Sequence, residues 1–302
     1  MSDALPALSL VAVPGRRQLT LDVAREAERR GFSGIYVPSM FGNMAQSTAL
    51  ALATERVIFG TAIAPIYART VEDFAQSAAF IHEVSGGRFR FGIGVAHAPS
   101  HRRMGVVPGR PLGDIRDFVA RFRGYDGFGA LPPIILAALR KRTVALAGEI
   151  ADGLVFANGS RSHTQDSLSV LPARKRGSPD FLIANMIPTC IADDIEAAKA
   201  VNRRTLTRYT LLPNYRNYWK EAGYIEEMTA IETAIAENRD ADIPSLTSDR
   251  WLADATLFGP AARVREGVAA WREAGVTTPI LVPSSAHGNQ LKAVEEIFAA
   301  FR

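Results

Sequence analysis

His97 and His101 stand four residues apart in GIGVAHAPSH (92–101), directly after a run that alternates aromatic residues with arginine and then with glycine. An imidazole titrates near neutrality, so a histidine at the end of a strand is equipped to give and take protons. His97 is the candidate proton carrier on that ground, with His101 farther along the loop. Tyr67, just past VIFGTAIAP (57–65), is the second candidate. The other histidines read as structural: His82 near a helix C-terminus, where the dipole favours it, and His163 and His287 in loops. No set has metal-ligand spacing, and neither a Gly-x-Ser-x-Gly elbow nor a P-loop is present, which removes support for metal hydrolysis and acyl transfer.

The elements that must carry these residues alternate along the chain. Strand patterns at 8–13, 34–39, 57–65, 88–95, 132–139, 153–158, 181–192 and 278–284 are separated by helical periodicity. Thr70 with Asp73 makes a capping box for the helix ending at 84, and Gly86 or Gly87 supplies its left-handed stop. Eight strands with intervening helices fit an α/β architecture, the (β/α)8 TIM barrel, as one domain over 1–302 with a mostly helical insertion at about 202–256. An open doubly wound sheet is the alternative, and it ordinarily needs fewer strands.

Bulk properties narrow the setting. The chain has 302 residues, 47% of them hydrophobic, and a single cysteine, Cys190, so no internal disulfide can form. No stretch reaches the ~20 apolar residues of a membrane span. With no cationic leader before the first apolar run, a reduced, cytoplasmic setting is expected. The formal charge of +4 is dispersed, and the two basic clusters, LRKR (139–142) and ARKRG (173–177), lack the interleaved aromatics of a nucleic-acid groove. Arg140, Lys141 and Arg142 open a helix where its dipole disfavours cations, a conflict that a nearby anion would resolve.

Alternation in 88–95 puts Phe89, Phe91, Ile93 and Val95 on one face, and Arg88, Arg90, Gly92 and Gly94 on the other. In 57–65 it separates Val57, Phe59, Thr61 and Ile63 from Gly60, Ala62 and Ala64. The two small-residue faces are expected to point inward, leaving space near the rim for a flat ligand. GIGVAH also looks like the start of a dinucleotide fingerprint, but the third glycine is missing and a proline-rich loop follows.

REAERRGFSGIYVPS, ATERVIFGTAIAP, HEVSGGRFRFGIGVAH, PPIILAAL with LAGEIADGLVFANG, and FGPAARVREGVAAWREAGVTTPILVP together resemble the bacterial luciferase-like monooxygenase superfamily, nearly end to end. Among its branches the chain is most similar to the deazaflavin-dependent oxidoreductases, where a segment like RYTLLPNYRNYWKEAGY (208–224) also precedes the last strand. The resemblance implies a barrel that binds FMN or the 8-hydroxy-5-deazaflavin coenzyme F-420 at its C-terminal rim, as a homodimer. It implies a bulge, sometimes with a non-proline cis peptide, at Ala62, Ile63 and Ala64 beneath the central ring, with Gly94, Val95 and Ala96 beside it. It also implies a phosphate on Asn158, Gly159, Ser160 and Arg161. One departure stands out: where several deazaflavin-dependent relatives end strand two with an acid and a histidine, this chain has Ser39 and Met40, so that acid–base role is not carried over and Ser39 is left as the strand-two contact.

Hydride transfer between F-420 and a small organic substrate is the expectation. A reduced-FMN monooxygenase served by a separate flavin reductase is the alternative, and a cofactor-free member of the family the second. An aldolase or isomerase would need a lysine at a strand end, and all five lysines read as helix or loop residues.

Overall fold

The helix at 71–84 begins and ends for local reasons. Thr70 Oγ1 accepts the N–H of Asp73 at 3.1 Å, and the chain departs through the left-handed Gly86 (φ 62°) and Gly87 (φ 82°). Asp194 caps its own helix in the same way, accepting from the Ala197 N–H at 3.0 Å. A computed structural model of the chain describes residues 4–40 and 42–302. Residues 1–3, the start of the N-terminal stretch read above, and residue 41 lie outside the described residues.

In chain order the elements are β1 (Ala7–Ser9), α1 (Arg17–Arg30), β2 (Gly34–Val37), α2 (Asn43–Ala53), β3 (Ile58–Thr61), β4 (Ala64–Pro65), α3 (Val71–Val84) and β5 (Phe89–Gly94). There follow α4 (Ala98–Met104), α5 (Pro111–Arg123), β6 (Ile134–Ala137), α6 (Lys141–Ile150), β7 (Gly153–Ala157), α7 (Thr164–Leu168) and β8 (Leu182–Ile191). The last part comprises α8 (Ile195–Thr210), α9 (Pro213–Glu221), α10 (Ile225–Ala236), α11 (Asp249–Ala255), β9 (Leu257–Gly259), α12 (Ala261–Glu273), β10 (Thr278–Ser284) and α13 (Gln290–Ala300). The order β1-β2-β3-β5-β6-β7-β8-β10 closes on itself, since β10 pairs in parallel with both β8 and β1. Eight parallel strands with helices between them form a closed (β/α)8 barrel, as the alternation of patterns led us to expect. Among the described residues no helix is long and apolar enough to cross a membrane.

Several boundaries differ from the sequence reading. The first strand ends at Ser9 rather than 13, because Gln46 takes over the backbone beyond it: its amide accepts from Ala12 N and donates to Leu10 O, each at 3.0 Å. The loop after β5 contains α4, whose Pro99 sits in the first helical turn, where the missing N–H costs nothing. The expected insertion boundary of 202 falls inside α8, and the short β9, which pairs with the last three residues of β8, was not visible as a strand.

The glycines of β3 and β5 are explained by register. Gly60 pairs with Arg90 and Ala64 with Ile93, a sequence offset of 30 at the first pair and 29 at the second, so the β3–β4 side carries one extra residue. A Cβ on Gly60 would overlap the Arg90 carbonyl oxygen, and one on Gly92 would overlap that of Thr61. The space read as room for a flat ligand is occupied at these two positions by neighbouring backbone. Thr61 Oγ1 adds a hydrogen bond to Gly92 O at 2.6 Å. The Ala62–Ile63 peptide is cis, and the alternation changes phase in the gap between β3 and β4. Ala64 is fully buried in the outer core and Ile63 packs on the barrel interior, the reverse of the expected faces.

Phe89, Phe91 and Ile93 face outward as expected, packing with Phe74, Phe118 and Phe122 of α3 and α5. Arg88, expected inside, is instead buried below the strand: its guanidinium donates to the carbonyls of Ser85, Ala51, Thr54 and Val57 and to Thr54 Oγ1, over the Phe59 ring. The interior is filled by Ala7, Tyr36, Ala62, Ile135, Val155, Ala184, Met186 and Ile280. The region from α8 to α11 has its own core around Trp219 and Trp251, both fully buried, although no long apolar pattern announces it.

Candidate active site

At the upper end of the interior, Ala62 and the partly exposed Ile63, Ala157 and Val282 make an apolar floor. Ile63 is held from two sides. Asn43, at the start of α2, donates to Ile63 O at 3.0 Å, and the Ile63 side chain lies where a Gly94 Cβ would meet it, at 3.2 Å, with Ala137 at 2.9 Å. Gly94 therefore admits Ile63 and not an open slot. Ala64, buried in the outer core, does not reach the floor. Val95 packs outward too, and only its backbone faces the loop.

Beyond Gly94 the chain turns sharply. Ala96 adopts a left-handed φ of 59°, a position that L-residues seldom occupy. It delivers His97 to the N-cap of α4, where the side chain makes no capping bond and instead turns its ring edge-on to Tyr215 of α9, with centroids 5.5 Å apart. Burial, followed by the nearby His101, pulls the His97 pKa below its ordinary value. A neutral imidazole at neutral pH accepts protons more readily than it donates them.

Tyr67 and His101 form a separate brace. The Tyr67 hydroxyl donates to Asp114 Oδ2 at 2.6 Å, its ring is edge-on to His101, and His101 Nε2 lies 2.5 Å from Val95 O. Burial, reinforced by Asp114, pushes the phenol pKa well up. Tyr67, the second candidate for catalysis, thus braces the loop. Ser39 follows β2 at the same end, partly exposed, with Met40 beside it half exposed.

The loop after β7 is folded more tightly than a phosphate cradle. Asn158, itself left-handed (φ 56°), donates its N–H to Met186 O, Gly159 donates to Asn185 Oδ1 and Ser160 donates to the Tyr218 hydroxyl. These three amides are committed within the protein, contrary to their expected use on a ligand. Ser160 is fully buried, while Arg161 remains partly exposed. Three buried atoms there, Asn158 Nδ2, Ser160 Oγ and Asn185 Nδ2, have no hydrogen-bond partner among the described residues. Asp254 of α11 closes the loop from above, accepting from Ser162 N at 2.9 Å, Ser162 Oγ at 2.7 Å and the Tyr224 hydroxyl at 2.9 Å.

The cations at the start of α6 find their anions inside the protein: Arg140 pairs with Glu221 and Lys141 with Asp166. Arg142 instead lines an open cavity of about 560 Å³ with Gly109, Arg110, Leu112, Gly113, Asp114 and Asp117. That cavity lies between α5 and α6 outside the strand ends, and its two arginines and two aspartates make it unlike a slot for a flat apolar ring. Of the remaining histidines, His163 is edge-on to Tyr218, His287 is exposed, and His82 is partly buried near Arg90. Among the described residues no group of three or more His, Cys, Asp or Glu is placed to hold a metal ion.

From sequence alone Asn43 and Asp254 had no part in the site, and Tyr215 and Tyr218 figured only within the segment 208–224. Tyr215, Tyr218 and Trp219 carry a signal in hindsight, a spacing of three and four that puts their rings on one side of a helix; Asn43 and Asp254 carry none beyond their polarity.

A family model described as luciferase-like monooxygenase matches residues 10–278. The chain is 26% identical over 321 residues to a putative coenzyme F-420-dependent oxidoreductase of Mycobacterium tuberculosis, covering 88% of this chain and 90% of that protein. Its fold is similar to that of the coenzyme F-420-dependent tetrahydromethanopterin reductase from Methanopyrus kandleri, with a TM-score of 0.78 at 17% identity over the whole of both chains. It is also similar, with a TM-score of 0.61 at 16% identity over 92% of each chain, to the oxygenating constituent of 3,6-diketocamphane monooxygenase from Pseudomonas putida, solved with FMN.

Proposed function

Because the chain belongs to the luciferase-like monooxygenase family, we propose that it is an oxidoreductase that binds a flavin-type cofactor at the C-terminal mouth of its barrel and uses F-420 for hydride transfer with a small organic substrate. The observation that carries this reading is the apolar floor of Ala62 and Ile63, pinned by Asn43 and Gly94 at the open end of the strands. The choice of F-420 rests on similarity to the mycobacterial relative along most of both chains.

The chain's own residues fit the ring end of such a cofactor, since Ala62, Ile63, Ala157 and Val282 together make an apolar surface. At the tail end the backbone amides of 158–160 are engaged, which leaves Arg161 and the unpartnered Asn158 Nδ2, Ser160 Oγ and Asn185 Nδ2 to meet a phosphate. When bound, the cofactor would supply the hydride acceptor or donor. His97 would take the proton of an alcohol as its carbon is oxidised, the direction that a neutral imidazole favours. Tyr67, Asp114 and His101 would hold the loop that carries it.

A second reading, a reduced-FMN monooxygenase served by a flavin reductase, is favoured by one feature: Ser39 and Met40 put no acid or imidazole at the end of β2. Titration of the purified chain with F-420 and with FMN, oxidised and reduced, separates them. Selective binding of F-420 supports hydride transfer, selective binding of FMN supports the monooxygenase, and binding of neither removes both. We place the homodimer contact on α2 and α3, where Leu52, Phe80 and Val84 are 72%, 54% and 37% exposed and α2 carries no charged residue.

A further inference from the structure

Helix α9 carries Tyr215, Tyr218 and Trp219 at a spacing of three and four, so the three rings leave it on one side. All are buried, at 5%, 1% and 0% exposure. Each touches a different part of the candidate site. Tyr215 meets His97 edge-on, the planes inclined at 60°. The Tyr218 hydroxyl accepts the Ser160 N–H at 2.9 Å, and Trp219 Nε1–H donates to Asn158 O at 3.2 Å.

Behind them, Trp219 packs at 5.5 Å on Tyr215 and at 4.9 Å, nearly perpendicular, on Trp251. The ring nitrogens of His97 make no hydrogen bond to any described residue. Packing, not hydrogen bonding, therefore orients this imidazole, and the ring that packs on it belongs to α9.

We propose that Tyr215 is the positioning residue for His97, and that α9 joins His97 and the Asn158–Ser160 loop into one rigid assembly, so that loosening the helix from the loop reorients the imidazole. The proposal rests on His97 as the proton carrier for its functional meaning. Its geometry does not depend on which cofactor binds. Close packing transmits small shifts because a dense core cannot absorb them locally.

The test uses the full chain labelled with carbon-13 at histidine Cε1, with the His97 signal identified by its loss in His97→Gln. Tyr215→Leu is expected to shift the His97 signal, and Tyr215→Phe, which keeps the ring, to leave it in place. Trp219→Phe, which removes the bond to Asn158, is expected to shift it as well. The signal of the exposed His287 should stay fixed throughout and report an intact fold.

A His97 signal unmoved in Tyr215→Leu overturns the positioning role, and one unmoved in Trp219→Phe overturns the link to the loop. Should Tyr215→Leu fail to fold, Trp219→Phe decides alone. A chain that binds neither cofactor sinks the functional reading but leaves these shifts interpretable. With cofactor bound, Tyr215→Leu should lower kcat about tenfold at unchanged cofactor Kd, with activity recovered in Tyr215→Phe.

Discussion

One carboxylate oxygen, Asp114 Oδ2, receives both the Tyr67 hydroxyl at 2.6 Å and the Gly109 N–H at 2.9 Å. A strand end, a long loop and α5 meet at that atom. With its proton held by burial and by Asp114, Tyr67 is a poor acid. Tyr67→Phe is expected to cost about 1 kcal/mol of stability and less than about tenfold in kcat, against ~10²–10⁴ for the loss of a proton carrier. Denaturant unfolding and steady-state rates measure both; a hundredfold loss of kcat would return Tyr67 to proton chemistry.

His97 carries the opposite expectation. Its pKa lies below the ordinary 6.5, so it stays neutral at pH 7 and gains its proton only as the pH falls through that lowered value. A reaction in which it accepts a proton should be flat above pH 6.5, decline on the acid side, and lose that acid limb in His97→Gln together with ~10²-fold of its rate. An acid limb that persists in His97→Gln assigns the titration to another group.

Gly92 and Gly94 should fail differently. Gly92→Ala drives a methyl into the Thr61 carbonyl oxygen, which cannot move without breaking the β3–β5 ladder. About 3 kcal/mol or more of destabilisation is expected. Gly94→Ala meets the Ile63 side chain at 3.2 Å and Ala137 Cβ at 2.9 Å, so β6 must give way locally, though by much less than the Thr61 carbonyl would at Gly92. It should weaken cofactor binding more than it weakens the fold. Equal unfolding midpoints for the two variants would contradict this account.

Asp254 holds three hydrogen bonds while only 7% exposed. Asp254→Asn keeps one acceptor and turns a donor towards groups that also donate. It should cost about 2 kcal/mol, visible as a lowered thermal midpoint. An unchanged midpoint would show that the loop after β7 does not depend on this tie.

The exposed ring of Phe80 gives the proposed dimer its test. Phe80→Glu places a charge among the exposed apolar side chains of α2 and α3 and should convert a dimer to monomer in light scattering without changing the far-ultraviolet circular dichroism. A wild-type chain that is itself monomeric would remove the contact.

What was legible in the sequence followed from short-range physics. Thr70 announced its helix because a cap is satisfied within three residues. Gly92 announced an oddity but not its cause, since the atom that takes its space belongs to Thr61, and the one-residue register difference depends on pairing across 30 positions. Asn158, Gly159 and Ser160 read as free amides because their partners, Met186, Asn185 and Tyr218, are 26 to 58 residues away. Alternation could not foresee that Ile63 and Ala64 exchange faces, because it assumes an unbroken strand.

The separate core around Trp219 and Trp251 has an evolutionary consequence. The region from α8 to α11 meets the barrel through the packing of α8 on β8 and β9, the bond from Asn202 to Leu257 O, the ion pair at Arg140, and the contacts of α9 and Asp254. Its core is shared with Cys190, Ala192 and Phe258 at the barrel's edge, and the rest of it packs on itself. Only where α9 and Asp254 grip the loops after β5 and β7 is its sequence answerable to the barrel's mouth, so the rest of this ceiling is free to vary in sequence while the staves beneath it keep their register.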